Sequence, residues 1–264
     1  MQQVATAPSG YATSVTLITG LAWPLFACVA TYYFRSELKT LLKVLEERLS
    51  SAKSFKLGPV EVGEIFDKAA QKTKETLGNS EAIRDVPEVQ VESSKELAEE
   101  LKSNKVPREE RLAFAELRLT KLALDYDLLR QKLDPGPART MRMDEIVSLM
   151  RTFALPAIPL LGMLMTSDSP GERLAAIAIL QVKSFSKYIN WLRNRFVEED
   201  QAFILFHTAL VLRRMSRIPR FAQNTNLEEA ISFGLQKVKS FKGGEPDQST
   251  IEVLSDAYES YTHR

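Results

Sequence analysis

The segment SPGERLAAIAIL, residues 169–180, decides the fold class of this chain. Ser169 and Glu172 form a capping box with proline at the first helical position, so each side chain can satisfy a backbone N–H of the other at the helix start. Residues 173–180 then mix small and large apolar side chains, as closely packed helices require. The segment therefore predicts a buried helix in an all-α fold.

Further helices follow toward the C-terminus. Residues 188–196 (YINWLRNRF) predict a partner helix, and residues 203–215 repeat the first apolar pattern. Residues 227–238 (LEEAISFGLQKV) would be the partner of that second copy, and residues 250–261 form a final acidic helix that would cap the array.

This alternation of helices, with a spacing of roughly 30–40 residues, resembles HEAT-type α-helical repeats. The likeness covers residues 170–241, in two units. Such arrays are usually binding scaffolds, so the resemblance implies a role in binding other proteins.

The helix with the clearest limits lies ahead of this array, in residues 107–133, between Pro107 and the stop signal DPGP. One face carries an apolar seam at heptad spacing: Leu112, Ala115, Leu119, Leu122, Tyr126, Leu129 and Leu133. A second apolar face carries Phe114, Leu117, Leu124 and Leu128. Two faces favour packing inside a helical bundle, with a self-pairing coiled coil as the alternative.

Residues 141–165 are apolar again, and they permit two interpretations. A second membrane span is one, but the uninterrupted stretch 154–165 is short for a bilayer and contains two prolines. A pair of core helices broken by proline is the favoured interpretation.

No charged side chain occurs in residues 1–34. Within them, residues 12–34 (ATSVTLITGLAWPLFACVATYYF) would span roughly 35 Å as a helix, which is enough to cross a hydrocarbon core. We therefore expect a single N-terminal transmembrane helix. A cleaved signal peptide, a lipoprotein signal ending at Cys28 and a buried core helix are the alternatives.

Positive charge follows this helix and is missing before it. The positive-inside rule places residues 1–11 outside as a short extracytoplasmic tail and the rest in the cytoplasm, at the inner (plasma) membrane. The cations expected at the membrane surface are Arg35, Lys39, Lys43 and Arg48. Leucines on the same predicted helix also permit a simpler interpretation, a stripe covered by a neighbouring element.

The remaining domain boundaries follow from composition. Residues 35–78 are expected to hold the basic helix, a short β-hairpin over 55–63 around Gly58-Pro59, and a helix over 64–77. Residues 79–106 are polar and acidic, which predicts a flexible linker with one weak helix near 95–102. Residues 107–264 would then form the helical domain.

Composition excludes several functions. The net charge is +1, there is a single cysteine, and there are two histidines, His207 and His263. These counts exclude an intrachain disulfide, a thiolate zinc site and a His-rich metal cage. No phosphate-binding, dinucleotide-binding or nucleophile motif is present. We expect no enzyme, cofactor, metal or nucleic acid, and we interpret His207 as a core histidine rather than a catalytic base.

A local concentration of cations is the one candidate binding surface. It comprises Lys183, Lys187, Arg193, Arg195, Arg213, Arg214, Arg217 and Arg220. Together these side chains could bind a phosphate-bearing ligand, an acidic partner or the bilayer. A solvated face paired with Glu198, Glu199 and Asp200 explains the pattern equally well.

Two functional hypotheses follow. The first is a non-enzymatic adaptor that is tethered to membrane lipid and docks a cytoplasmic protein. The second is a membrane-acting effector whose anchors self-associate through Thr16 and Gly20 to form a homo-oligomer. The N-terminus resembles the single-pass tether of bacterial membrane proteins, some of them from conflict or defence loci, and this resemblance is compatible with both hypotheses.

Overall fold

The computed structural model describes residues 59–77, 85–240 and 247–263. Within these ranges the regular structure is entirely helical, with ten α-helices, three short 3-10 turns and no strand. The α-helices are α1 Pro59–Leu77, α2 Glu88–Ser103, α3 Arg108–Lys132, α4 Pro137–Thr152, α5 Leu161–Met165, α6 Pro170–Val182, α7 Ile189–Glu198, α8 Ala202–Ser216, α9 Thr225–Lys239 and α10 Gln248–Thr262. The predicted all-α class is confirmed.

The segment that opens α6 starts the helix as its sequence predicts. The Ser169 hydroxyl accepts a hydrogen bond from the Glu172 N–H at 3.1 Å, and Pro170 occupies the first turn. Every residue from 174 to 180 is buried. Helix α6 packs against α3, α4 and α8, so it lies in the centre of the helical body.

The backbones of α3 and α6 approach each other closely at Gly171. A Cβ atom built on Gly171 would lie 2.2 Å from the carbonyl oxygen of Ala123 in α3. Asp127, one turn further along α3, accepts hydrogen bonds from the Gly171 N–H at 3.0 Å and from the Ser169 hydroxyl at 2.6 Å. Glycine is therefore required at this crossing, and Asp127 fixes the start of α6 on α3.

Helix α3 packs inside a bundle, as its two apolar faces favour. Its buried residues Ala115, Leu119, Ala123 and Tyr126 lie on or beside the predicted seam, and the helix contacts α6, α4 and α1. On the second face Phe114 stacks on Phe66 of α1, with ring centroids 6.0 Å apart. Two leucines of that face remain in solvent: Leu117 is 63% exposed and Leu124 is 56% exposed.

The apolar stretch 154–165 belongs to the core. A 3-10 turn, Ile158–Leu160, and the short α5 replace a continuous helix where the prolines occur. Ala154, Ala157, Leu161 and Leu164 are almost completely buried. Among the residues that the structure describes, no helix has both the length and the apolarity needed to cross a bilayer.

The predicted β-hairpin over 55–63 is wrong where the structure describes it. Residues 59–63 are the first turns of α1, and residues 55–58 lie outside the described residues. Pro59 begins the helix, where its missing N–H costs no hydrogen bond. Helical spacing relates the buried residues of this segment, which are Val62, Ile65, Phe66 and Thr73. The apparent alternation of apolar and polar residues around Val62 was therefore the start of a helical pattern with 3.6 residues per turn.

The prediction of a flexible linker over 79–106 is also wrong from residue 85 onward. Helix α2 packs on α1 and α4, and it buries Gln90, Ser93, Ser94, Leu97 and Leu101 among others. The helical body therefore already includes α1 and α2, ahead of residue 107, where it was expected to begin. Residues 79–84 lie outside the described residues.

The C-terminal helices follow the predicted order. Asn224 and Asp247 cap α9 and α10 with their side chains. Helix α8 packs most extensively on α10, and α7 packs on α9, so the predicted pairings of α6 with α7 and of α8 with α9 are not the main ones. The chain order fits the expected alternation, and the resemblance to HEAT-type repeats stays a prediction.

Candidate functional site

The predicted basic surface separates into two chemical groups. Four of its eight cations bind carboxylates, and the other four have no carboxylate partner among the residues that the structure describes. The paired cations are Arg195, Arg213, Arg214 and Arg217. The second group comprises Lys183, Lys187, Arg193 and Arg220.

Arg213 and Arg217 form an ion-pair network with two aspartates. Asp85 lies 2.8 Å from Arg213 and 2.7 Å from Arg217, and Asp256 of α10 lies 3.3 Å and 2.6 Å from the same two arginines. Partial burial opposes ionisation of Asp85, but the Arg213 guanidinium, the Val86 N–H and the charge of Arg217 together outweigh it and hold the pKa of that carboxyl below its usual range. The network joins α8, α10 and the segment before α2, which is a structural role.

Arg214 extends this connection to α2, because its guanidinium lies 3.3 Å from the Glu88 carboxylate. The partners of these three arginines are therefore Asp85, Glu88 and Asp256, and they are contributed by distant parts of the chain. Their identity could not be read from the local sequence.

Arg195 belongs to a separate, more buried group. Glu199, with 1% of its side chain exposed, lies 2.9 Å from Arg195 and accepts two hydrogen bonds from Arg173 of α6, at 2.5 Å and 3.0 Å. Arg195 also pairs with Glu198 and stacks on the Trp191 ring, 4.6 Å from its centroid. Pairing with Glu198 and Glu199 was one of the two interpretations of the sequence, and it holds for this arginine.

The unpaired cations lie on aromatic rings instead of carboxylates. Lys183 lies 5.8 Å from the Phe185 ring centroid and Lys187 lies 4.6 Å from that of Tyr188. The two rings contact each other edge to face at 6.0 Å. Arg220 donates to the Ser184 carbonyl at 2.9 Å, so it lies beside the same turn.

We call Lys183, Phe185, Lys187, Tyr188 and Arg220 the basic–aromatic patch. All three of its cations are exposed. Arg193 stacks on Phe233 of α9, 4.6 Å from the ring centroid, and is not placed with this group by any contact. The patch is thus the part of the predicted surface where positive charge is both accessible and unneutralised.

A buried polar cluster around Arg151 is a feature that the sequence analysis missed. Arg151 has 0% exposure. It donates to Gln181 Oε1 and to Gln90 Oε1, both at 2.6 Å. Burial lowers its pKa to about 10, because water that would stabilise the cation is excluded. The one sequence signal was Gln181, a polar residue in the otherwise apolar stretch 174–182.

His207 completes this cluster as a core histidine. The ring is fully buried, and Nδ1 lies 3.2 Å from both the Arg151 guanidinium and the Gln181 amide nitrogen. Because both neighbours are donors, Nδ1 is the acceptor and the ring proton is on Nε2. Nε2 has no hydrogen-bond partner among the described residues and faces Asp144, whose Oδ1 is 3.7 Å away. Burial lowers the pKa of His207 to about 4, so the ring is neutral at pH 7.

Asp144 connects this cluster to a cleft of about 810 Å³ between α4, α8 and α10. The apolar part of the lining comprises Met143, Ala202, Phe203, Phe206 and Val253. The volume falls within the range of about 300–1,000 Å³ that is usual for small-molecule sites. Sequence patterns gave no indication of this cleft, because it depends on how three helices diverge.

The remaining predicted sites lie outside the described residues. These are the membrane-surface cations Arg35, Lys39, Lys43 and Arg48, and the anchor positions Thr16 and Gly20. The transmembrane helix over 12–34 and the effector hypothesis therefore stay predictions. Comparison with known proteins found no matching family model, no matching curated protein and no matching solved structure.

Proposed function

We propose that this chain is a non-enzymatic scaffold, tethered to the inner membrane by residues 12–34, that docks a cytoplasmic protein partner on its helical body. The observation that carries the proposal is the basic–aromatic patch. Its cations are exposed and lack carboxylate partners in the described part of the chain, whereas Arg195, Arg213, Arg214 and Arg217 of the same body are neutralised.

The composition of the patch suits a protein interface. Tyrosine, phenylalanine and arginine are enriched at such interfaces, because they combine apolar area with a polar group. Phe185 and Tyr188 are half-buried, and the Arg220 hydrogen bond to Ser184 links the 183–188 turn to the segment after α8. A partner with clustered Asp or Glu side chains would supply the missing charge, and charge complementarity would direct its association.

The charge pattern around the predicted tether supports a cytoplasmic location for the helical body. The sequence from 12 to 34 is uncharged, and Arg35 is followed by further Lys and Arg. Alkaline carbonate washing of membranes tests it directly. Retention of the chain in the membrane pellet is expected, and release into the supernatant would refute the tether.

Charge reversal tests the docking surface. Lys183→Glu with Lys187→Glu should abolish recovery of the partner from detergent-solubilised membranes, because repulsion replaces attraction at the patch. The matched control is Lys121→Glu with Lys132→Glu, which makes the same charge change at two exposed lysines of α3. A partner recovered with wild type and control but lost with the patch variant supports the proposal. Equal recovery with all three proteins would refute it.

A further inference from the structure

We infer that the cleft between α4, α8 and α10 binds a small organic cation, an amine with an apolar body, through the Asp144 carboxylate. The inference is independent of the proposed scaffold function. It rests on the charges that line the cleft, on an unpartnered buried group behind Asp144, and on the apolar floor.

The cleft is lined by more carboxylates than cations. Its charged lining residues are Arg130, Arg139, Asp144, Asp200, Arg213, Asp247, Glu252 and Asp256. Several already have partners within the protein. Arg213 pairs with Asp256 at 3.3 Å, and the Asp247 carboxylate caps α10.

Of the other two arginines, Arg139 donates to the Leu133 carbonyl at 3.2 Å. Arg130 acts on the Tyr126 side chain through its charge and stays available to the cleft. Asp144 and Asp200 accept no hydrogen bond of 3.5 Å or less in the described part of the chain, so carboxylates predominate among the groups left to meet a ligand. Asp200 is exposed at the rim, whereas the Asp144 side chain is only 29% exposed.

Asp144 is also supported from behind by buried polar groups. The protonated Nε2 of His207 points toward it from a site with 0% exposure and has no other partner in the part of the chain that the structure describes. Beyond the histidine lies the fully buried Arg151, which has no carboxylate within 4 Å in the described part of the chain and whose charge Asp144 stabilises at longer range. The buried N–H of His207 is therefore directed at the same carboxylate that an ammonium group in the cleft would meet.

The floor of the cleft determines the rest of the ligand. Phe203 and Phe206 both contact the His207 ring, with centroids 4.4 Å and 5.5 Å apart, so they lie next to the Asp144 carboxylate. Aromatic faces attract cations and bury apolar surface. The combination of a carboxylate with two phenyl rings therefore favours a protonated amine joined to an apolar group.

Three probes of similar shape and different charge test this inference. Phenethylamine carries an ammonium group, 2-phenylethanol is neutral, and 3-phenylpropanoate is anionic. Binding to the full-length protein in a neutral maltoside detergent is measured by ligand-observed NMR, with detergent alone as the blank. We expect the amine to bind about tenfold more tightly than the alcohol, as a hydrogen bond to a charged group implies. The acid should bind most weakly.

Two variants test whether the Asp144 carboxylate is responsible for the preference for the amine. Asp144→Asn should lower the amine affinity about tenfold and leave the alcohol affinity unchanged. The control, Asp125→Asn, removes an exposed carboxylate of α3 that does not line the cleft, and it should change neither affinity. Circular dichroism checks that each variant is folded.

Several results would overturn the inference. They are equal affinities of amine and alcohol for the wild-type protein, absence of amine binding at about 1 mM, or an Asp144→Asn variant that keeps the preference for the amine. The order of the three affinities is measured on the wild-type protein and stays decisive if the variant fails to fold.

Discussion

The substitution Gly171→Ala tests the closest helix crossing in the body. The added Cβ would lie 2.2 Å from the Ala123 carbonyl oxygen and 2.7 Å from the carbonyl carbon. These are backbone atoms of α3, so a side-chain rotation cannot relieve the clash, and the helices must separate by roughly 1 Å. Overpacking of this kind costs about 1–3 kcal/mol or more. A backbone clash at 2.2 Å lies at the upper end of that range. The higher helix propensity of alanine returns at most about 1 kcal/mol, so we expect a net loss of about 2 kcal/mol.

Tryptophan fluorescence measures this loss within the helical body. The chain has two tryptophans, Trp23 and Trp191. In a Trp23→Phe background the signal comes from Trp191 alone, whose indole N–H donates to the Met165 carbonyl at 3.1 Å. With a urea dependence of about 2–3 kcal/mol per molar, the unfolding midpoint should fall by roughly 1 M.

Gly162→Ala is the matched control. Gly162 is also helical, and a Cβ there would have no described atom within 4 Å apart from its own helix backbone and chain neighbours. Its midpoint should be unchanged or slightly higher, because alanine stabilises a helix by about 0.5–1 kcal/mol relative to glycine. If Gly171→Ala unfolds at the same urea concentration as wild type, the close approach of α3 and α6 is not as described.

Two further predictions concern buried charge. Because the pKa of His207 is lowered to about 4, the unfolded chain takes up the proton first, and stability should fall by about 3 kcal/mol as the pH drops from about 6.5 to 4. Urea titrations at pH 7 and pH 4 measure this loss of stability, and His207→Gln should lose about 3 kcal/mol less than wild type. Identical losses in both proteins would contradict the role of His207. Glu199→Gln should cost about 3 kcal/mol, because its side chain is 1% exposed between two arginines. Glu198→Gln, at a side chain 52% exposed, should cost under about 1 kcal/mol, and equal effects of the two changes would contradict the buried geometry.

Local signals predicted the helices, because capping and apolar periodicity act over a few residues. Ser169 caps α6 as its position ahead of Pro170 predicts. The apolar stretch 154–165 is broken by proline and buried in the core. Each of these features depends on residues that are close in sequence, so the local sequence pattern was sufficient to predict it.

The linker error arose where polar residues are buried. Gln90 and Ser94 gave α2 the composition of a linker, yet Gln90 donates to Ser148 at 3.0 Å and Ser94 accepts from the Leu155 N–H at 3.1 Å. Their partners are about sixty residues away, so composition alone gave the wrong answer. The same reason applies to the candidate sites, because the carboxylates that neutralise Arg213 and Arg217 come from Asp85 and Asp256.

The polar cluster around Arg151 has a consequence for how the body opens. Its hydrogen bonds reach Gln90 of α2, Gln181 of α6 and His207 of α8 from a position on α4. Apolar surfaces can slide past one another at modest cost, whereas moving any of these helices would leave the buried Arg151 guanidinium without hydrogen-bond acceptors. Amide protons in these four helices should therefore exchange with solvent in a single concerted event, at the same rate, instead of fraying one helix at a time.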